Sequence, residues 1–154
     1  MEFKMSELKR AVLFAAVQKY GLALERMRGR LKTALSAKGE QPAYYDRTNP
    51  PRIEILEEVS LLSNHIQMAA NEFDVLRKME NFVDHLHTFI ELGALVMTNR
   101  GLYFVSVDLD QLKVQGKTIT AIPVQSSFYQ AMKGKREGEN FKHEGLHYEV
   151  REIL

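Results

Sequence analysis

Apolar residues in the first 90 positions recur at alternating intervals of four and three. This spacing is typical of a coiled-coil seam, in which one face of a helix packs along a partner helix. The first seam, in a helix predicted from about Ser6 to Ala37, consists of Leu13, Val17, Tyr20, Leu24, Met27, Leu31 and Ala34. The second, in a helix predicted to continue to about Phe89, consists of Ile55, Val59, Leu62, Ile66, Ala69, Phe73 and Leu76. The pattern therefore predicts two helices of matched length.

A polar segment of 15 residues, about 38–52, separates the two helices, and its glycine and three prolines cannot continue either of them. Residues 1–91 are therefore predicted to form an antiparallel coiled-coil hairpin with this segment as its tip. Helices of about 32 residues would make it a rod about 48 Å long. Because a minimal helix connection needs only about 2 to 8 residues, the long tip favours a function for it.

After Leu92 the pattern changes to short apolar runs bounded by glycine and asparagine. These runs predict strands over Ala94–Met97, Leu102–Val107, Thr118–Val124, Asn140–Lys142 and Leu146–Ile153. Turns are expected at residues 99–101, 115–117 and 144–145. A short helix is expected at Ser127–Lys133, with Ser126 or Ser127 as its N-cap and Gly134 at its end. Residues 92–154 thus predict a small, mostly antiparallel β domain with one helix, which makes the fold class α+β.

The amino-acid composition mainly excludes certain classes of protein and site. The 154 residues include 45% apolar residues and no cysteine. The lack of cysteine excludes a disulfide scaffold, a thiolate metal site and a cysteine nucleophile, and it favours a reducing compartment. The longest apolar run, Ala11–Val17, is far shorter than the roughly 20 residues of a membrane helix, and the first ten residues lack a signal-peptide pattern. We therefore expect a cytoplasmic protein that does not span a membrane.

Charge is divided unevenly along the chain, although the net charge is only +1. Residues 1–38 contain nine basic and three acidic side chains, whereas residues 53–92 contain two basic and eight acidic ones. Segments with net charges of +6 and −6 are expected to face each other. This arrangement leaves no unopposed basic face, which argues against direct nucleic-acid binding.

The most conspicuous catalytic motif is His143-Glu144-Gly145-Leu146-His147, a formal match to the H-E-x-x-H signature of zinc proteases. That chemistry requires both imidazoles one turn apart on a helix. Here Gly145 lies at a predicted turn and an alternating strand follows, so the two histidines are expected to flank a hairpin bend. His85 and His87, two positions apart on a predicted helix, would diverge by about 200° and could not form a metal site as a pair. We predict neither catalysis nor an intrinsic metal.

The C-terminal part of the chain resembles the end of the Gre transcription elongation factors. The resemblance is carried by residues 119–139, which include Ser126-Ser127-Phe128-Tyr129 and Ala131-Met132-Lys133-Gly134-Lys135-Arg136-Glu137-Gly138, and by the closing Tyr148-Glu149-Val150. Leu92–Val96 is similar to the opening strand of that family's C-terminal domain. The family combines an antiparallel coiled-coil hairpin with an FK506-binding-protein-like (FKBP-like) domain. The resemblance therefore covers the whole chain in architecture and residues 92–154 in motif.

The resemblance implies a regulator of bacterial RNA polymerase. In that family the globular domain docks at the rim of the polymerase's secondary channel, and acidic residues at the coiled-coil tip help to hold Mg²⁺ in the polymerase active site. The corresponding docking residues would be Ser126, Ser127, Phe128 and Tyr129, and the tip carboxylates Asp46 and Glu40. This chain has Asn49 at the offset of the family's second tip acid, flanking arginines, and Ser127 where the family usually has proline. These departures favour a modulator over a cleavage-stimulating factor, with no cofactor beyond a Mg²⁺ shared with the polymerase.

Two other functions remain open. A coiled-coil adaptor would dimerise through its helices and would not bind polymerase, whereas an intramolecular hairpin predicts a monomer. A prolyl isomerase is suggested by the FKBP-like fold alone. That activity needs an aromatic-lined pocket, and the β domain offers tyrosine and phenylalanine without tryptophan.

Overall fold

The computed structural model describes residues 2–39 and 50–154. Two N-terminal helices precede a six-stranded mixed sheet and a short helix, so the fold class is α+β, as predicted. Helix α1 spans Glu2–Gly39, and helix α2 spans Pro50–Met79. The described chain separates into two compact units, one of Met1–Lys19 with Val75–Leu154 and the other of Tyr20–Asp74. Within the described residues, neither long helix is apolar enough over a sufficient length to cross a membrane.

Burial along the two helices follows the predicted seams. Every seam position whose side chain is described is buried or half-buried. In the Tyr20–Asp74 unit, the rings of Tyr20 and Phe73 stack with their centroids 6.4 Å apart, and the Tyr20 hydroxyl donates to the Glu72 carboxylate. A Cβ added at Gly21 would lie only 3.4 Å from the Phe73 ring. This glycine inside a helix therefore provides room for a close helix–helix contact.

The prediction that the second helix continues to about Phe89 is wrong. Helix α2 ends at Met79, and only one 3₁₀ turn, Glu80–Phe82, follows it. No proline or glycine lies between Met79 and Gly93 to stop the helix. Beyond the end of α2, the backbone of Ile90 is held by tertiary contacts with the turn near Gly134, as described below. Such contacts routinely override helical propensity.

Six strands form the sheet: β1 (Leu95–Thr98), β2 (Gly101–Ser106), β3 (Gln111–Val114), β4 (Lys117–Pro123), β5 (Asn140–His143) and β6 (Leu146–Ile153). Their order across the sheet is β3-β4-β2-β1-β6-β5. The described strand pairs are antiparallel except β2 and β4, which are parallel. The sheet is therefore mixed and not antiparallel throughout. The parallel pair arises because the chain passes from β2 to the edge strand β3 and returns through a tight hairpin alongside β2.

Strand β3 was not predicted, but the turn that follows it was. Gln111–Val114 alternates between exposed and buried side chains, so half of this short edge strand faces solvent. Gln115 and Gly116 have φ angles of 53° and 75°, and Glu144 and Gly145 have 50° and 79°. Two successive positive φ angles are characteristic of type I′ hairpin turns. The turns expected at residues 115–117 and 144–145 are confirmed.

Helix α3 (Ser127–Met132) packs against the sheet and contacts β4 and β5. Its N-cap is Ser126, whose Oγ accepts from the Tyr129 amide at 3.1 Å and donates to the Pro123 carbonyl at 2.7 Å. Tyr129 and Met132 are buried, and they join a core formed with Ile90, Ala94, Val96, Val105, Ile122, Phe141, Tyr148, Val150 and Ile153. Gly134, with φ of 74°, follows the helix as predicted.

We predict that Ser126→Ala lowers the free energy of unfolding by about 1 to 2 kcal/mol, because it removes both the cap acceptor and the bond to Pro123. Urea denaturation followed by circular dichroism measures the change. Ser127→Ala is the matched control at an exposed position and should cost less than about 0.5 kcal/mol. Equal losses in the two variants would contradict the assignment of Ser126 as the cap.

Candidate functional site

The four predicted docking residues divide into two structural and two surface residues. Ser126 caps α3 and Tyr129 is buried in the core, so both maintain the helix position. Ser127 is exposed, and its Oγ lies 3.1 Å from His143 Nε2. Phe128 is half-buried. A partner that docks on this segment would therefore contact Ser127 and Phe128 directly.

Phe128 belongs to an aromatic cluster on the β domain. Its ring centroid lies 4.9 Å from that of Tyr103, 5.2 Å from that of Tyr148 and 5.1 Å from that of His143. The Arg100 guanidinium lies 5.5 Å from the Tyr148 ring centroid, within cation–π range. Burial raises the pKa of the Tyr103 hydroxyl, with a further contribution from Tyr148. The cluster thus combines rigid aromatic surface with a cation.

The H-E-x-x-H motif does not form a zinc-protease site. His143 lies at the end of β5 and His147 near the start of β6, with the Glu144-Gly145 turn between them. His147 pairs with Lys142, the residue before His143, so the two imidazoles are on opposite faces of the hairpin. The predicted hairpin bend is confirmed. The predicted tip carboxylates, Asp46 and Glu40, lie outside the described residues.

Sequence reasoning missed a second group of polar side chains, which lies in the segment between α2 and β1. This segment is anchored at Ile90, whose amide donates to the Lys135 carbonyl at 2.8 Å and whose carbonyl accepts from the Gly134 amide at 2.9 Å. Further along, the Gly93 amide donates to the Val105 carbonyl at 2.8 Å. The chain before and after Ile90 is therefore held against the β domain.

His85, His87 and Glu91 converge in this segment. Their potential ligand atoms all lie within 4.8 Å of one another. His87 Nδ1 is 2.6 Å from Glu91 Oε1, and the rings of His85 and His87 meet edge to face with centroids 5.0 Å apart. The imidazole of His87 is 7% exposed. The 200° divergence expected for a helix does not apply, because residues 85 and 87 are not helical.

The three side chains line an apolar cavity of about 620 Å³ within the unit that contains the sheet. Its apolar lining consists of Leu13, Val75, Met79, Phe82, Val83, Leu92 and Phe104. Two lysines, Lys9 and Lys78, also line it. Convergent polar groups in an apolar cavity of this size are typical of small-ligand sites.

Lys9 is the most unusual ionisable group of the cavity. It is only 4% exposed, and its Nζ donates to the His85 carbonyl at 3.0 Å. Burial lowers the pKa of Lys9 to about 8, although the carboxylates of Asp84 and Glu91 partly oppose this shift. Burial likewise lowers the pKa of His87, against its hydrogen bond to Glu91. Burial in the cavity therefore destabilises the protonated forms of both bases, although Lys9, with a pKa of about 8, is still mostly an ammonium at neutral pH.

No protein-family model, curated protein or solved structure matches the chain.

We predict that the stability of the native chain relative to Lys9→Met rises with pH between about 8 and 10.5. Lys9 has a folded pKa below its ordinary value of 10.5, so the unfolded chain binds more protons in this window and the cost of burying the ammonium is relieved as pH rises. Below about pH 8 the native chain bears the full free-energy cost of burying the Lys9 ammonium. The difference should grow by an amount on the order of 3 kcal/mol across the window.

Urea denaturation of both proteins at several pH values, with a chelator present, measures this difference. Lys113→Met, at an exposed position, controls for the loss of one lysine. A difference between native chain and Lys9→Met that stays constant from pH 7 to pH 11 would contradict the account of Lys9.

Proposed function

We propose that the chain is a bacterial RNA polymerase-binding regulator of transcription elongation that acts through the secondary channel. One observation carries the proposal: residues 119–139, which resemble the Gre factors, form a continuous unit of strand, capped helix and glycine turn. This unit presents Ser127 and Phe128 at the start of α3. The segment that resembles the Gre factors therefore includes a defined surface at the start of α3.

The rest of the architecture supports the same proposal. A sheet with one short helix packed on it is compatible with an FKBP-like domain, and the burial of both seams is compatible with a coiled-coil hairpin. Both features belong to the proposed family architecture. In this proposal the helices enter the channel and the β domain binds its rim.

The surface around α3 has the chemistry of a protein–protein contact. Phe128 and Arg100 supply an aromatic ring and a guanidinium group, which are enriched among the residues that dominate binding energy at interfaces. The buried Tyr148 ring contacts both of them, so little side-chain freedom would be lost on binding. We assign the docking role to this surface.

The expected action is modulation without RNA cleavage. Cleavage stimulation requires carboxylates that hold a Mg²⁺ beside the one already in a polymerase active site. The tip offers Asp46 with asparagine at the second acidic offset and arginine at positions 47 and 52, and Glu40 lies six residues before Asp46. A single carboxylate flanked by cations is a poor magnesium ligand set.

We predict that the full chain binds core RNA polymerase at low salt and that Ser127→Glu weakens this binding at least 10-fold. The substitution adds a charge in the proposed contact but keeps α3 stable, since an acidic residue is favourable in the first turn of a helix. Thr118→Glu is the matched control, because it adds the same group at an exposed position at the far end of β4. Biolayer interferometry with immobilised polymerase measures both affinities.

If both substitutions weakened polymerase binding equally, the assignment of the docking role to α3 would be wrong. Absence of binding by the native chain would overturn the proposed function. In that case a concentration-dependent dimer in sedimentation experiments would favour the coiled-coil adaptor.

We predict further that the chain does not accelerate RNA cleavage in backtracked elongation complexes, and that Asp46→Ala leaves the cleavage rate unchanged. The physical reason is the incomplete carboxylate set at the tip. Gel analysis of labelled RNA after addition of the native or variant chain measures the rate. Acceleration that Asp46→Ala abolishes would show a cleavage factor and contradict the modulator assignment.

A further inference from the structure

Among the described residues, His85, His87 and Glu91 stand out as potential metal ligands outside the proposed docking surface. Among the side chains that the structure describes, no other group of three histidine, aspartate or glutamate residues brings its ligand atoms equally close together. The group lies in a segment without regular secondary structure, and all three side chains face one cavity. It is independent of the H-E-x-x-H motif.

We propose that His85, His87 and Glu91 bind a divalent transition-metal ion of the zinc class. Two imidazoles and one carboxylate are the donor set that proteins use for Zn²⁺ when one coordination position stays open. Zinc–ligand bonds of about 2.0 to 2.2 Å in a tetrahedron place ligand atoms about 3.3 Å apart. A metal site therefore needs side-chain movement: the wider separations, of up to 4.8 Å, would close through the exposed His85, and the 2.6 Å contact between His87 Nδ1 and Glu91 Oε1 would open.

The backbone that carries the three ligands is already fixed. Ile90 makes two hydrogen bonds to the turn after α3, and the His85 amide donates to the Phe82 carbonyl at 2.9 Å. Gly93 has a φ of +93°, a backbone conformation that favours glycine, and its backbone passes close to the His87 ring. A metal ion would therefore find the donors largely positioned, and little ordering entropy would oppose its binding.

The surroundings determine the strength of this site and leave one position open. The Lys9 ammonium opposes a cation here, and it is offset only in part by Glu91 and by Asp84, whose carboxylate already pairs with Arg10. We therefore expect a dissociation constant for Zn²⁺ in the micromolar range, weaker than that of buried structural zinc sites. Because all three ligands line the cavity, the fourth coordination position faces it and would take water or a small metal-binding molecule.

Isothermal titration of ZnCl₂ into the full chain tests the proposal. The protein is purified without a histidine tag and stripped with a chelator, and the titration is run near neutral pH. We expect one saturable site per chain, and a dissociation constant raised about 10-fold or more by each of His85→Gln, His87→Gln and Glu91→Gln. His65→Gln and His147→Gln remove exposed imidazoles elsewhere and should leave the constant unchanged.

His85→Gln is the decisive variant, because its side chain is exposed and its removal leaves the core intact. X-ray absorption of the zinc-loaded chain supplies a second readout and should show two imidazoles in the coordination sphere. Absence of saturable binding, or binding that His85→Gln and Glu91→Gln leave unchanged, overturns the proposal. A loss of affinity in His65→Gln or His147→Gln as large as that in His85→Gln also overturns it.

Discussion

Two hydrogen bonds at Ile90 connect the features on which function is proposed to depend. The Ile90 amide and carbonyl bond to Lys135 and Gly134, the residues that follow α3, and the side chain is fully buried in the core. This anchor holds the backbone at residue 90 outside any helix. It also ties the segment that carries His87 and Glu91 to the C-terminal end of α3. The proposed docking surface begins at the other end of the same six-residue helix. Both candidate sites therefore depend on one backbone junction.

The ionisable groups buried in the cavity beside this junction lower the stability of the fold. Lys9 is buried among apolar side chains, and burial works against the charged forms of both Lys9 and His87. Ionisable groups retained in a cavity against such a cost are characteristic of functional sites, although structural networks also show them. In this chain the convergence of His85, His87 and Glu91 gives the cavity a definite chemistry.

Features that depend on residues close together in the sequence, such as helix faces, turns and caps, could be predicted from the sequence. The alternating spacing of apolar residues located the buried positions of both helices, and glycine-containing turns at residues 115–117 and 144–145 located two hairpins. Ser126 was one of two candidate caps, and the structure selects it. The end of α2 at Met79 could not be predicted, because no proline or glycine follows it before Gly93 and the helical pattern continues to about Phe89. The group of His85, His87 and Glu91 was missed for the same reason, since a helix would have separated the imidazoles. Strand β3 had a signal, its strict alternation immediately before a predicted turn.

Hydrogen–deuterium exchange of the full chain with and without core RNA polymerase tests the central claim most directly. The account predicts that amides of residues 126–133 exchange more slowly in the complex, while amides of the β3–β4 hairpin at residues 111–118 keep their rates. This pattern would locate the contact at the start of α3 without any substitution. Unchanged exchange at residues 126–133 in the presence of saturating polymerase would contradict the account.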